Sequence, residues 1–224
     1  MIDKYELRAQ FMPALLCSAP FIAFGFYFLS RLDTTFWGAL LAQTVGGITM
    51  TFALYYLAAF VCRHVGKWLE DWMFKEGKDF PTTSFLLDRD ANCSPERKKE
   101  ILVKIKKEFE INLEGKTTDT AANRRRIHEA IGQVRRRFFK KNEMILQRNI
   151  QFGFSKNIAG GALVSALVSM ALTLLAVLAN DQQALQIALV LAVIYLVLAV
   201  YGLVSMGSNA KRYAQTLFDE FLAS

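Results

Sequence analysis

The chain has 224 residues, 53% of them apolar, and a formal net charge of +7. That composition is only modestly richer in apolar residues than a soluble protein, but the apolar residues collect in two blocks almost free of charge. Such clustering excludes a single soluble domain and points to an integral membrane protein.

Four segments, Phe11–Ser30, Phe36–Cys62, Ile158–Ala179 and Ala184–Met206, contain no Asp, Glu, Lys or Arg. Each meets the roughly 20 apolar residues that a helix needs to cross a hydrocarbon core of about 30 Å. One charge near the middle of such a helix would cost about 2.5–3.5 kcal/mol. The first segment is too long and too aromatic for a cleaved signal peptide and is read as retained.

Residues 1–10 form a short amphipathic lead-in with Lys4 and Arg8 one turn apart. Pro13 and Pro20 should kink the first membrane helix, since each removes a backbone hydrogen bond. Its outer half is aromatic, with Phe21, Phe24, Phe26, Tyr27 and Phe28, as suits a membrane–water boundary. Residues 31–35 and 180–183 are short connections, so each pair of segments reads as an antiparallel hairpin.

The predicted fold is therefore dominated by α-helix, with four transmembrane helices as two hairpins. Residues 1–62 hold the N-terminal segment and first hairpin, and 158–224 hold the second hairpin and a tail. Between them, residues 63–157 form a mostly helical basic domain inserted between the second and third membrane helices. Of 27 Lys and Arg residues, 22 lie in 63–157 and two each in the N-terminal ten and the tail. The bias of basic residues toward the cytoplasm puts both termini and the domain on that side, and only Arg31 argues otherwise.

Gln43, Gly47 and Thr51 in the second segment, and Ser165, Ser169 and Thr173 in the third, recur every fourth residue on one helix face. Small and hydroxyl residues there permit close helix packing. The same stripes could instead line a wet pathway, which one slim four-helix protomer cannot enclose, so that reading requires a homo-oligomer. A secondary transporter is disfavoured, because the segments carry no ionisable residue and no broken, doubled halves.

Within the domain, Trp68 and Trp72 read as an interfacial anchor or a continuing helix. Phe80-Pro81-Thr82-Thr83 should interrupt the helix, with Ser84–Leu87 a short strand or turn. Ser94-Pro95-Glu96 is a helix start with Ser at the N-cap and Pro next. Gly115-Lys116-Thr117 lacks the upstream glycine of a phosphate-binding loop, position 110 being Glu, so a P-loop is rejected. Asp88-Arg89-Asp90 reads as a solvated turn.

Ala121–Arg148 is the strongest feature. It holds Arg124, Arg125, Arg126, Arg135, Arg136, Arg137, Lys140, Lys141 and Arg148 against only Glu129 and Glu143. The Arg triplets are eleven residues, three helical turns, apart, so the two triplets stack in register. Ile127, Ile131, Val134 and Phe138 form the opposing apolar stripe. Positive-inside topology alone needs fewer charges. Two readings remain open: a surface for anionic lipid, or a site where Arg forks grip a nucleotide or single-stranded oligonucleotide. Phe138, Phe139, Phe152 and Phe154 could stack bases but also suit a core. A tetramer would gather four such faces around one axis.

No enzyme is expected. His64 and His128 have no visible nucleophile or metal-ligand spacing, and Cys17, Cys62 and Cys93 form no CxxC pattern, so neither disulfide, metal nor other cofactor is anticipated.

The order Leu7-Arg8-Ala9-Gln10-Phe11-x-Pro13, Phe80-Pro81-Thr82-Thr83-x-x-Leu86-x-x-x-Asp90 and Asn149-Ile150-x-Phe152-Gly153-Phe154-x-x-Asn157 resembles small bacterial membrane proteins of anti-phage defence. The layout is similar to the membrane effector of nucleotidyltransferase-controlled systems such as the Hailong type. The resemblance implies an oligomeric inner-membrane channel, gated by a nucleotide-derived messenger made by a partner nucleotidyltransferase, whose opening depolarises the infected cell. A structural adaptor whose basic helix binds lipid or a cytoplasmic partner, without conduction, is the alternative.

Overall fold

The computed structural model describes residues 4–31, 44–138 and 141–224. Among these residues the only regular structure is helical. A π-helical turn, Glu6–Phe11, leads into α1 (Met12–Cys17), α2 (Ala19–Arg31) and α3 (Thr44–Phe74). There follow α4 (Pro81–Ser84), α5 (Pro95–Phe109), α6 (Ala121–Phe138), α7 (Glu143–Leu178) and α8 (Gln182–Ala223). Among the described residues four stretches are long and apolar enough to cross a membrane: Glu6–Tyr27, Ile48–Phe74, Glu143–Leu178 and Gln182–Ala223.

The helices divide between two compact units, Met1–Leu69 with Gly153–Met206, and Glu70–Phe152 with Gly207–Ser224. The sequence reading grouped the tail with the second pair of membrane segments. By packing, Gly207–Ser224 belongs with residues 70–152.

In the first unit the two prolines explain the packing. Pro13 has no N–H to offer the carbonyl of Ala9, four residues earlier, and Pro20 leaves the carbonyl of Leu16 in the same state. Asn157 Nδ2 donates to Ala9 O at 2.5 Å, and the Tyr195 hydroxyl donates to Leu16 O at 2.6 Å. At Ser18, between α1 and α2, the backbone stays helical (φ −78°, ψ −23°) but the α-helical hydrogen-bond pattern lapses, and there Ser165 Oγ donates to Cys17 O at 2.7 Å. In a hydrocarbon environment a freed carbonyl must find a partner within the protein, and neighbouring helices supply all three.

Glycines set how closely these helices approach. A Cβ on Gly160 would lie 2.2 Å from the Gly66 nitrogen, so α7 and α3 cross backbone to backbone. A Cβ on Gly202 would meet Ala159 at 2.6 Å, which brings α8 equally close to α7. Ala14, Cys17, Cys62, Ile158, Ala162, Ala166, Tyr195 and Ala199 form the small-residue core between them.

In the second unit α5 begins as its sequence predicts: Ser94 Oγ accepts from Arg97 N at 3.3 Å, with Pro95 at the first position. Phe80 is extended (φ −62°, ψ 141°) ahead of Pro81, and the following residues make the one-turn α4 and a turn, not a strand. Lys98 Nζ donates to Leu87 O at 2.7 Å and Asp90 O at 2.5 Å, closing the Asp88–Asp90 turn. The end of α8 completes this core. Leu217, Phe218 and Phe221 are buried, and the Phe221 ring lies 6.2 Å from Phe109 and 6.4 Å from Phe138. Asp219 pairs with Arg97, and Asn142 Nδ2 donates to Glu220 at 2.5 Å.

Candidate functional site

Helix α6 carries the basic cluster. Ile127, Ala130, Ile131 and Val134 are buried, so one face is committed to the core. The eleven-residue register then decides what each arginine does, because matching members of the triplets point the same way.

Arg124 and Arg135 turn toward the protein. Arg124 is 8% exposed. Its guanidinium pairs with Asp79, donates to Asp119 Oδ1 at 2.5 Å and reaches Lys78 O at 3.0 Å. The hydrogen bond to Asp119 raises the Arg124 pKa, and the same bond lowers the Asp119 carboxyl. Arg89 binds the other side of Asp119 at 2.6 Å, and Lys75 binds Asp79 at 2.8 Å. Arg135 has no carboxylate partner among the described residues. Its Nη2 donates to Thr82 Oγ1 at 2.8 Å, and its guanidinium lies 4.9 Å over the Phe80 ring and 5.6 Å from that of Tyr213. Cation–π contact of this kind replaces an ion pair.

The remaining members face outward. Arg125 pairs with Glu129 along the helix at 3.1 Å with both side chains exposed, and Arg137 pairs with Glu108 of α5. Arg126, Arg136 and Lys141 are exposed, and their side chains make no hydrogen bond or ion pair with the described residues. Lys140 and Phe139 lie outside the described residues. Phe138 and Phe152 contact other aromatic rings of the unit, Phe221 and Phe80 respectively. Phe154 packs on the small-residue core of the first unit.

The sequence reading therefore assembled one cationic surface where the structure has two roles. Arg124 and Arg135 fasten α6, while Arg125, Arg126, Arg136, Arg137 and Lys141 are available to solvent. The partners that decide this, Asp79, Asp119, Thr82, Phe80 and Tyr213, carry no sign of that role in the sequence. Asp119 was legible as the acid five residues before Arg124, but its partner choice was not.

The hydroxyl stripe of α7 is turned inward. Ser165 and Ser169 are fully buried, with Ser169 Oγ donating to Ser165 O at 2.8 Å and Thr173 Oγ1 to Ser169 O at 2.9 Å. Of the two roles weighed for this stripe, the geometry gives Ser165 and Ser169 packing. Thr51 is half-buried beside a groove of about 570 Å³, shared with Leu15, Ser18, Ile22 and Phe26. Gly47 lies in α3, and Gln43 is outside the described residues.

Among the described residues no three His, Cys, Asp or Glu side chains converge as metal ligands. His128 is half-buried, and burial, then the Arg135 charge, lowers its pKa. No family model matches the chain, and neither the curated proteins nor the solved structures contain a match.

Proposed function

We propose that the chain is a ligand-gated membrane channel effector whose ligand, a nucleotide or single-stranded oligonucleotide, binds the outward face of α6. One observation carries this reading: Arg126, Arg136 and Lys141 are exposed with no hydrogen-bond or ion-pair partner among the described residues, on a helix whose other face is fastened by Arg124 and Arg135. A guanidinium held ready on a fixed helix loses little freedom when it grips phosphate in a two-point fashion.

In this reading the four apolar helices pair as two hairpins, with residues 63–157 inserted between the second and third. Both termini and the basic domain face the cytoplasm of a bacterial inner membrane, as the distribution of Lys and Arg supports. A homo-oligomer, most simply a tetramer, forms the pathway. Because the Ser165 and Ser169 hydroxyls are engaged inside the protomer, the pathway runs between protomers, and the α3 face that carries Gly47 and Thr51 is the candidate to line it. The messenger comes from a partner nucleotidyltransferase and the setting is anti-phage defence, both on the strength of the resemblance alone.

The test pairs filter binding with liposome flux. Wild type should bind short single-stranded DNA or RNA or cyclic nucleotides, with a log–log salt slope of roughly −0.7 per neutralised phosphate. Arg126→Glu with Arg136→Glu should abolish binding and ligand-dependent flux while leaving oligomer size intact. Wild-type binding to none of these ligands, with binding to anionic liposomes retained, would replace this reading by that of a non-conducting adaptor. Exposed Trp68 and Trp72 support that second reading, because tryptophan favours the lipid headgroup region.

A further inference from the structure

Cys17 and Cys62, 45 positions apart in sequence, meet in the first unit. Cys17 closes α1, Cys62 lies in α3, and both are buried, at 0% and 1% exposure. A Cβ on Gly161 of α7 would lie 2.3 Å from Cys62 Sγ and 2.8 Å from Cys17 Sγ. Both sulfurs thus sit over one glycine, and 2.3 Å plus 2.8 Å puts them no more than 5.1 Å from each other. Any larger residue at 161 would drive them apart. The surroundings, Ala14, Ala162, Ala166 and Tyr195, offer neither a basic side chain nor a third metal ligand.

We infer that Cys17 and Cys62 are a dithiol site that closes to a disulfide, tying the first membrane segment to α3. A disulfide needs sulfurs about 2.05 Å apart and Cβ atoms about 3.5–4.5 Å apart. The sulfurs must therefore move together, and Ser18, next to Cys17, marks the interruption of α-helical hydrogen bonding between α1 and α2. In the reaction two S–H bonds break and one S–S bond forms. Two protons and two electrons pass to a bilayer-soluble oxidant of the quinone class, which leaves as the quinol. The product restricts sliding of α1 against α3 at the place where Pro20 and Ser18 already weaken the helix.

The experiment uses the full chain in phosphatidylethanolamine–phosphatidylglycerol vesicles, treated with a fully substituted quinone or with copper phenanthroline and oxygen. After denaturation, free thiols are counted by N-ethylmaleimide addition and intact mass. Of the three thiols, two should be lost and only Cys93 alkylated, with reductant restoring all. Peptide mapping should link Cys17 to Cys62. Cys93→Ser should leave the result unchanged, whereas Cys17→Ser or Cys62→Ser should block the intramolecular bridge. The inference is overturned if all three thiols stay alkylatable under both oxidants, or if the recovered bridge involves Cys93 or joins two chains.

Discussion

Tyr195 and Leu16, on different membrane helices, are joined by a 2.6 Å hydrogen bond from the tyrosine hydroxyl to the leucine carbonyl. That carbonyl is free because Pro20, four residues later, has no N–H. Asn157 serves Ala9 in the same way for Pro13, so the polar side chains of α7 and α8 are matched to the prolines of the first segment.

This match makes a double-mutant cycle informative. Tyr195→Phe should cost about 0.6–1.7 kcal/mol, the usual range for a hydrogen bond between membrane helices. In a Pro20→Ala background, where a backbone N–H can reach Leu16 again, the same change should cost clearly less. Equilibrium unfolding in mixed micelles would measure both. Equal costs in the two backgrounds would dismiss the proline-repair account.

Two glycine-to-alanine changes should have opposite signs. Gly160→Ala forces a Cβ into the Gly66 backbone and should destabilise by about 1–3 kcal/mol, as overpacking does. Gly132→Ala, in α6 with nothing within 4 Å of its new Cβ, should stabilise by about 0.4–1 kcal/mol through the unfolded chain. Thermal denaturation in one detergent ranks them against wild type.

Charge removal on α6 should separate by helix face. Arg124→Leu leaves Asp79 and Asp119 without their shared cation, so the folded fraction should drop. Arg126→Gln with Arg136→Gln touches no internal partner, and its stability should stay within about 0.5 kcal/mol of wild type. If both lower stability alike, the two-role assignment of the triplets fails.

His128 makes acid sensitivity calculable in sign. Its folded pKa is below the ordinary 6.5, first through burial and then through Arg135. The unfolded chain therefore takes up its proton at higher pH than the folded one. As pH falls below about 6.5 the unfolded state holds more protons and stability declines; the decline stops once the folded imidazole is protonated, and above 6.5 this residue contributes no slope. Urea titrations between about pH 5 and 7.5 should show that slope, and His128→Gln should flatten it.

Orientation is open to a direct measurement. Alkaline phosphatase fused after Asn180 should be active, and fusions after Glu114 or Ser224 inactive. The reverse pattern would refute the cytoplasmic placement of the basic domain.

The sequence by itself determined what depends on near neighbours. Four uncharged apolar runs are long enough to span a bilayer whatever they pack against, and Ser94-Pro95 starts a helix through contacts three residues away. The apolar stripe of Ile127, Ile131 and Val134 likewise defines the buried face of α6 by helical period alone. Tertiary structure decided everything that needs a partner from far along the chain. Register aligns the arginine triplets, but only the positions of Asp79, Asp119 and Thr82 show that Arg124 and Arg135 are consumed, while Arg126 and Arg136 find no hydrogen-bond or ion-pair partner among the described residues. The serine stripe of α7 reads alike for packing or a pathway until the Cys17 carbonyl, at the lapse in α-helical hydrogen bonding before Ser18, meets Ser165. Cys17 and Cys62 carry no spacing signal because their meeting depends on a bare Cα at Gly161. Helical period records which way a side chain points; it carries no information about which distant group arrives to meet it.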